Sequence, residues 1–511
     1  MARRAFALKL TFVQAAAALV VAACVLLPLA AVIARAETLA GGLAGDWSAV
    51  RFTVWQAILS ASVSTLLAIP VARALARRRF PGRGALITLL GAPFILPVIV
   101  AVLGLLAVFG RGGIANQALA AIGLEPISIY GLHGVVLAHV FFNLPLATRM
   151  ILQGWQAIPG ERFRLAASLD MSPWQVSKAL EWPMLRAVLP GAWMVIFALC
   201  IGSFAVALTL GGGPRATTVE LAIYQAFQFD FDLGRAALLA VLQLVLAAGA
   251  AALALALSAP PGFGAGLDRV VRRWEAESGW LRLSDAAILT LAAGFLLVPL
   301  TLVIAGGVEG LGAVPGLVWR AAGISVAMAL ASTALTVALA LALARRAELV
   351  GYLGLAISPM VLGTGLFILA NPVVDPRALA LPVTVLVNAL MALPFAVRVL
   401  GPALREVEAD YGRLADALGM EGRARLRWLI LPRLRRPLGF AAGLSAALAM
   451  GDLGVVTLFA SPDWATLPLQ MYRLMGAYRM EAAAGAGLIL LALSLLLFWI
   501  FDRGGRVDVD A

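Results

Sequence analysis

Few residues in this 511-residue chain could carry covalent chemistry. It has two histidines, His133 and His139, and two cysteines, Cys24 and Cys200. The histidines stand six positions apart, which on a helix points them to different faces. No H-E-x-x-H or Cys/His cluster accompanies them, so neither a metal site nor another cofactor is indicated. Both cysteines fall inside apolar runs, where a thiol behaves as a small hydrophobe rather than as half of a disulfide framework. Neither lysine, Lys9 or Lys178, follows a glycine, so the G-x-x-x-x-G-K-[ST] phosphate loop is absent and ATP must bind another chain. With no nucleophile–base pair either, the chain does not read as an enzyme. What remains is one acid where acids are expensive: Asp452, in Ala449-Met450-Gly451-Asp452-Leu453-Gly454, within an apolar run. Such a carboxylate faces a bundle interior or a cavity, and its glycine neighbours permit a helix break. Two readings follow for Asp452: it lines a pathway and favours a cationic solute, or it pairs with backbone or an arginine and shapes a gate.

The elements that must position this acid are membrane spans. Hydrophobic residues make up 62% of the chain and charged residues 13%, far from the composition of a soluble domain. Apolar runs of about 20 residues, the length that crosses a bilayer, predict an all-α polytopic membrane protein. Spans are expected at 10–34, 53–75, 85–109, 131–152, 188–210 and 234–258, then at 286–306, 319–343, 351–370, 381–401, 438–460 and 480–501. Arg3-Arg4 and Ala34-Arg35-Ala36 imitate a signal peptide, and Val21-Ala22-Ala23-Cys24 a lipoprotein box. The apolar run between them, about 25 residues, exceeds a signal's core and reads as a retained span. With the N-terminus inside, 30 of the 39 Lys+Arg residues lie in cytoplasmic segments and 9 outside. That excess places both termini in the cytoplasm and accounts for most of the +12 net charge without a nucleic-acid partner.

The spans form two sets. A shift of 249 positions places Leu144-Pro145 on Leu393-Pro394, Arg164-Leu165-Ala166 on Arg413-Leu414-Ala415, Pro183 on Pro432 and Gly202 on Gly451. A shift of 268 places Ser64-Thr65 on Ser332-Thr333 nearer the start of each half. Both copies run inside to inside, so the repeats are parallel and imply a pseudo-two-fold axis along the membrane normal with a pathway between the halves. The halves are 1–258 and 286–511, joined by a cytoplasmic linker at 259–285 that opens with Pro260-Pro261-Gly262. The repeat partner of Asp452 is Ser203, the second pathway candidate.

Each half holds one long cytoplasmic loop, 153–187 and 402–437, with a shared grammar. A helix ends in small residues, Ala166-Ala167 or Ala415-Asp416-Ala417, offering a smooth face to a partner. A left-handed stop follows at Asp170 or Gly419, before Met171 or Met420. Ser172-Pro173 then opens a second helix in the first copy, and Pro183 or Pro432 precedes re-entry. This loop resembles the EAA motif of type I ABC importer permeases, with Leu429-Ile430-Leu431-Pro432 and Glu181-Trp182-Pro183 at its closing I-x-L-P. Neither copy has a glutamate directly before its alanines, and Asp170 replaces the expected glycine. The resemblance implies two parallel six-helix repeats in the bacterial inner membrane, surrounded by membrane lipid. It also implies an ABC ATPase subunit in two copies, docked on coupling helices in these loops, and a periplasmic substrate-binding protein.

Fused double permeases include those for ferric iron and for thiamine. The closer resemblance is to the thiamine permease family, through Phe142-Asn143-Leu144-Pro145-Leu146-Ala147-Thr148-Arg149, Glu181-Trp182-Pro183 and the stretch from Gly211-Gly212-Gly213 through Thr217-Thr218 to Gln225. Gly211 to Thr218 reads as an outer loop that contacts the binding protein, caps the pathway, or simply turns. Ferric iron would favour clustered tyrosines, carboxylates or histidines at the pathway, and six tyrosines and two histidines do not cluster. An ATP-independent secondary transporter would not need duplicated docking loops.

Overall fold

The computed structural model describes residues 12–36, 46–91, 95–213, 216–257, 273–274, 277–344, 347–459 and 464–505. Arg3, Arg4 and Lys9, the start of the linker at Pro260-Pro261-Gly262, and the Arg345–Arg346 pair lie outside them. Among the described residues all regular structure is helical. The first half comprises α1 (Phe12–Arg35), α2 (Asp46–Arg77), α3 (Arg83–Leu89), α4 (Val98–Phe109), α5 (Ile114–Ala121), α6 (Leu132–Ala157), α7 (Gly160–Ser168), α8 (Pro173–Val176), α9 (Trp182–Ile201), α10 (Phe204–Leu210), α11 (Val219–Gln228) and α12 (Leu233–Leu257). The second comprises α13 (Gly279–Gly310), α14 (Gly316–Leu343), α15 (Glu348–Gly351), α16 (Pro359–Ala370), α17 (Ala380–Ala417), α18 (Gly422–Arg425), α19 (Leu431–Arg433), α20 (Arg435–Met450), α21 (Gly454–Phe459), α22 (Leu467–Gly476) and α23 (Met480–Gly505).

Among the described residues, 11 helices are long and apolar enough to cross a membrane, or 12 if a bent pair counts as one span. Several expected spans change shape, and proline or glycine accounts for most of the changes. The third crossing runs over 98–121 rather than 85–109, because Pro97 has no N–H to continue a helix from α3 and instead opens α4. The expected span at 351–370 bends by 95° between residues 348–356 and α16. Pro359 drives the residue before it out of the helical region, and the Ser358 hydroxyl caps the new helix by accepting the Val361 N–H at 3.2 Å. The fifth and eleventh expected spans break at Gly202-Ser203 and just after Met450. The linker's last residues are already helical, since α13 begins at Gly279.

Each half repeats one packing scheme: α2 lies on α6 and α9, and α14 lies on α17 and α20. The halves also exchange elements, α1 packing on α16 and α13 on α4. Two glycines make that exchange close. A Cβ on Gly104 would stand 2.7 Å from the Pro299 carbonyl oxygen, and one on Gly365 would strike the carbonyl of Pro28. Neither half therefore closes its core alone, and the buried clusters mix residues from both.

Candidate functional site

The two coupling loops fold as the repeat predicts. After α7 and α17 the chain turns left-handed, at Asp170 (φ 52) and Gly419 (φ 61). Met171 N–H donates to Ala166 O at 3.0 Å and Met420 N–H to Ala415 O at 2.9 Å, each closing the final turn of a helix. Ser172 caps α8 reciprocally with Gln175, and Pro173 occupies the first turn. Next comes a π-helical turn in each copy, Ser177–Glu181 and Leu426–Ile430, again 249 positions apart. Pro183 and Pro432 follow directly, and a wide turn relieves the clash of a proline ring with the preceding helical carbonyls.

The exposed face of each loop helix differs from the expected alanine surface. Ala166 and Ala415 are buried and seat their helices on the permease, as do Phe163 and Gly412 one turn earlier. The exposed residues are repeat-matched leucines, Leu165 and Leu169 in one loop and Leu414 and Leu418 in the other, with Trp174 and Trp428 beside them. Three- and four-residue spacing puts 163 and 166 on one face and 165 and 169 on the opposite one. Ala167 is half-buried, while Asp416 and Ala417 stay exposed; Asp416 accepts from Arg425 across the turn at 2.6 Å.

The first loop carries a buried ion cluster. Glu181, at the end of its π-turn, accepts from Arg73 of α2 at 2.8 Å, from Arg273 of the linker at 2.6 Å and from Trp155 of α6 at 3.2 Å. Arg273 also lies over the Phe163 ring of α7, 4.1 Å from its centroid. A nearby carboxylate, Asp285 of α13, holds Arg77 through both oxygens and Arg78 at 2.6 Å. The second half has Ile430 where the first has Glu181 and Leu341 where it has Arg73, so the clamp has no counterpart there.

The helix breaks are the polar centre of the fold. At the end of α9 the carbonyls of Cys200 and Ile201 would be orphans in hydrocarbon. Gln56 of α2 donates to the first at 2.8 Å, and Gln243 of α12 donates to the second at 3.1 Å. Ser203, in the break itself, bonds His139 Nε2 at 2.7 Å, and His139 Nδ1 bonds Ser60 at 3.0 Å. Glu220 of α11 is buried against Gln243, with Oε1 at 3.3 Å and Oε2 unpartnered. In the second half Asp452 Oδ1 accepts the Gly454 N–H at 3.1 Å and caps α21, leaving Oδ2 buried without a partner. Asn388, at the repeat position of His139, stands beside it. The two breaks meet: a Cβ on Gly454 would lie 3.8 Å from the Phe204 ring.

The segment from Gly211 to Thr218 turns inward at one end. Gly212 (φ 73) and Gly213 (φ 131) are exposed, but Gly211, Thr217 and Thr218 are buried. Thr218 caps α11 by accepting the Leu221 N–H at 3.3 Å, and Thr53 of α2 accepts the Val219 N–H at 2.9 Å. Of the two hydroxyls, that of Thr218 thus holds a helix in place, while that of Thr217 donates within the turn to Gly213 O at 3.5 Å. The second half repeats the device, with Leu467 N–H of α22 donating to Ser325 of α14 at 2.8 Å.

Residues 323–504 match the family model described as Binding-protein-dependent transport system inner membrane component. Over 488 residues the chain is 43% identical to the Thiamine transport system permease protein ThiP of Escherichia coli, covering 91% of this chain and 90% of that protein. It is 39% identical over 487 residues to the Brucella abortus protein of the same name, covering 91% and 89%. The Haemophilus influenzae protein of that name is 33% identical over 483 residues, covering 90% and 89%. The chain belongs to the thiamine transport permease family.

A member of this permease family is a multi-pass inner-membrane transport component, not a catalytic subunit, and works with a binding protein and an ATPase. The structure places Ser203 and Asp452 at the two helix breaks; α11, α22 and the residues that service the breaks were not foreseen from the sequence. A signal for α11 existed: Thr218 precedes Val219-Glu220-Leu221-Ala222-Ile223-Tyr224-Gln225, a capping residue before an amphipathic stretch. Gln56, Gln243 and Glu220 are isolated polar residues in apolar surroundings, and only their convergence on one helix end shows what they do.

Proposed function

We propose that this permease imports thiamine or its phosphates, received from a periplasmic binding protein. Solute passes between the halves at the meeting of the two broken helices, where Ser203 and Asp452 line the way. One observation carries the reading: a buried, unpartnered carboxylate oxygen on Asp452 at that meeting point, in a chain akin to thiamine permeases over 91% of its length. The thiazolium of thiamine is a permanent cation and complements that acceptor. Each of two ATPase copies seats on one coupling loop, at Ala166 to Met171 with Pro183 and at Ala415 to Met420 with Pro432. Both loops and both termini face the cytoplasm, consistent with the arginine excess. Gly212 and Gly213 mark the outer face.

Uptake of radiolabelled thiamine into proteoliposomes holding the permease, its ATPase and its binding protein tests this. The expected result is ATP-dependent uptake that Asp452→Asn lowers by about tenfold or more, the worth of one hydrogen bond to a charged group. ATPase binding should survive that substitution. Equal uptake without the ATPase, or no thiamine uptake by the intact complex, would overturn the proposal.

A further inference from the structure

Two short helices, α11 and α22, hold equivalent places in the two halves. Thr218 and Thr466 stand at their N-caps, and the first N–H of each is held by a hydroxyl of α2 or α14. That match is a shift of 248 positions, which sets Tyr224 on Tyr472. Tyr224 of the first half has both Tyr472 and its neighbour Arg473 of the second within electrostatic reach. Equivalent groups of two parallel repeats come close only beside the pseudo-two-fold axis that relates them. The tyrosines therefore mark the line between the halves, where the proposed pathway runs.

α11 leads from the helix break away from the coupling loops. Near its start, Glu220 lies against the break: a Cβ on Gly202 would stand 3.8 Å from its Oε1. Just beyond its end, Arg235 bonds Asp46 at the start of α2 at 2.8 Å. Toward the other end of α2, Arg73 bonds Glu181 of the first loop. Rings form a ladder along this line. Phe229 is exposed, half-buried Tyr224 has its ring 5.9 Å from it, and buried Phe204 lies 5.5 Å further in. A Cβ on Gly454 would meet both Phe204 and Asp452, so the ladder ends at the carboxylate. Arg473 is exposed, and among the described residues no carboxylate pairs with it. Aromatic faces receive a flat cationic ring, and an unpaired guanidinium receives a phosphate. Arg473 repels a bare cation, and a phosphate on the same solute offsets that repulsion.

We propose that this mouth, opposite the coupling loops, is a binding site for a phosphorylated aromatic cation. The ring lies against Tyr224 and Tyr472, and the phosphate sits on Arg473. The site tells thiamine phosphates from thiamine before either reaches Asp452. It rests on the proposed solute class and adds the residue that selects within it.

Uptake of radiolabelled thiamine and of radiolabelled thiamine monophosphate into proteoliposomes holding permease, ATPase and binding protein tests it. The binding protein is the same throughout, so a change in the ratio of the two solutes comes from the permease. Arg473→Gln, at an exposed position, should lower monophosphate uptake about tenfold, or ~1.4 kcal/mol, with thiamine uptake within about twofold of wild type. Tyr472→Leu should lower both about fivefold, the worth of one cation–π contact, and Tyr472→Phe, which keeps the ring, should restore both. Equal loss of the two solutes in Arg473→Gln, or no loss, overturns the phosphate site. So does a wild type that carries thiamine but not its monophosphate. Unaltered uptake in Tyr472→Leu overturns the ring contact. Each of these results leaves the thiamine reading standing, whereas a wild type that carries neither solute overturns that reading and this site with it.

Discussion

Glu181→Gln keeps the side chain's shape and removes its charge, which isolates the work done by the first-loop clamp. Glu181 and Arg273 have side chains only 2% and 3% exposed, whereas Arg73 is 30% exposed and can turn to water. Breaking a buried ion pair costs about 3–5 kcal/mol, against about 0–1 kcal/mol for a surface pair. At the lower bound of about 3 kcal/mol the undocked population of the loop rises roughly 150-fold. Trypsin reads that population directly when reclosing outpaces cutting. Arg164 and Lys178 are exposed cleavage sites in the first loop, and Arg413 and Arg423 in the second. The expected result is faster cleavage of the first loop by roughly two orders of magnitude, with the second loop unchanged as an internal control. Glu181→Leu with Arg273→Leu should recover most of the loss, since apolar side chains then replace the buried ion pair. An increase below about fivefold, or equal acceleration in both loops, would refute a buried clamp and leave an ordinary surface ion pair.

Two further outcomes follow from the loops. Leu165→Asp or Leu414→Asp, at exposed positions, should change permease stability by no more than about 0.5 kcal/mol yet abolish co-purification of the ATPase; retained co-purification would move the docking face elsewhere. Gly419→Val should destabilise the second loop by about 1–2 kcal/mol because φ is 61, while Asp170→Gly, at φ 52, should be neutral or mildly stabilising. Loop-resolved hydrogen exchange measures both, and a Gly419→Val loop as protected as wild type would contradict the left-handed stop.

Much of the loop architecture was legible because its signals are local. A left-handed stop, a serine cap and a proline before re-entry are each decided within a few residues, and the stop and the proline recur 249 positions apart. The alanine surface was misread for a reason that is also physical. Local composition names small residues but not the side of the helix they occupy, and burial turned Ala166 and Ala415 inward. The role of Thr218 was likewise hidden: a hydroxyl in a glycine-rich stretch looks available until α11 is seen to start on it, with Thr53 accepting the Val219 N–H.

By itself the sequence determined the membrane class, the 249-residue spacing shared by the two loops, their left-handed stops and the breaks beside glycine. Those properties depend on apolar run length, repeated spacing and the conformational freedom of single residues. The tertiary structure alone decided how the halves trade α1 and α13, and which scattered polar residues converge. Gln56, His139 and Gln243 lie on three different helices and reach one break, where hydrocarbon leaves the end of α9 no other partners. Arg73, Glu181 and Arg273 likewise come from three segments and form one ion cluster. Nothing in their spacing foretells either meeting, because contact between helices is set by packing rather than by distance along the chain.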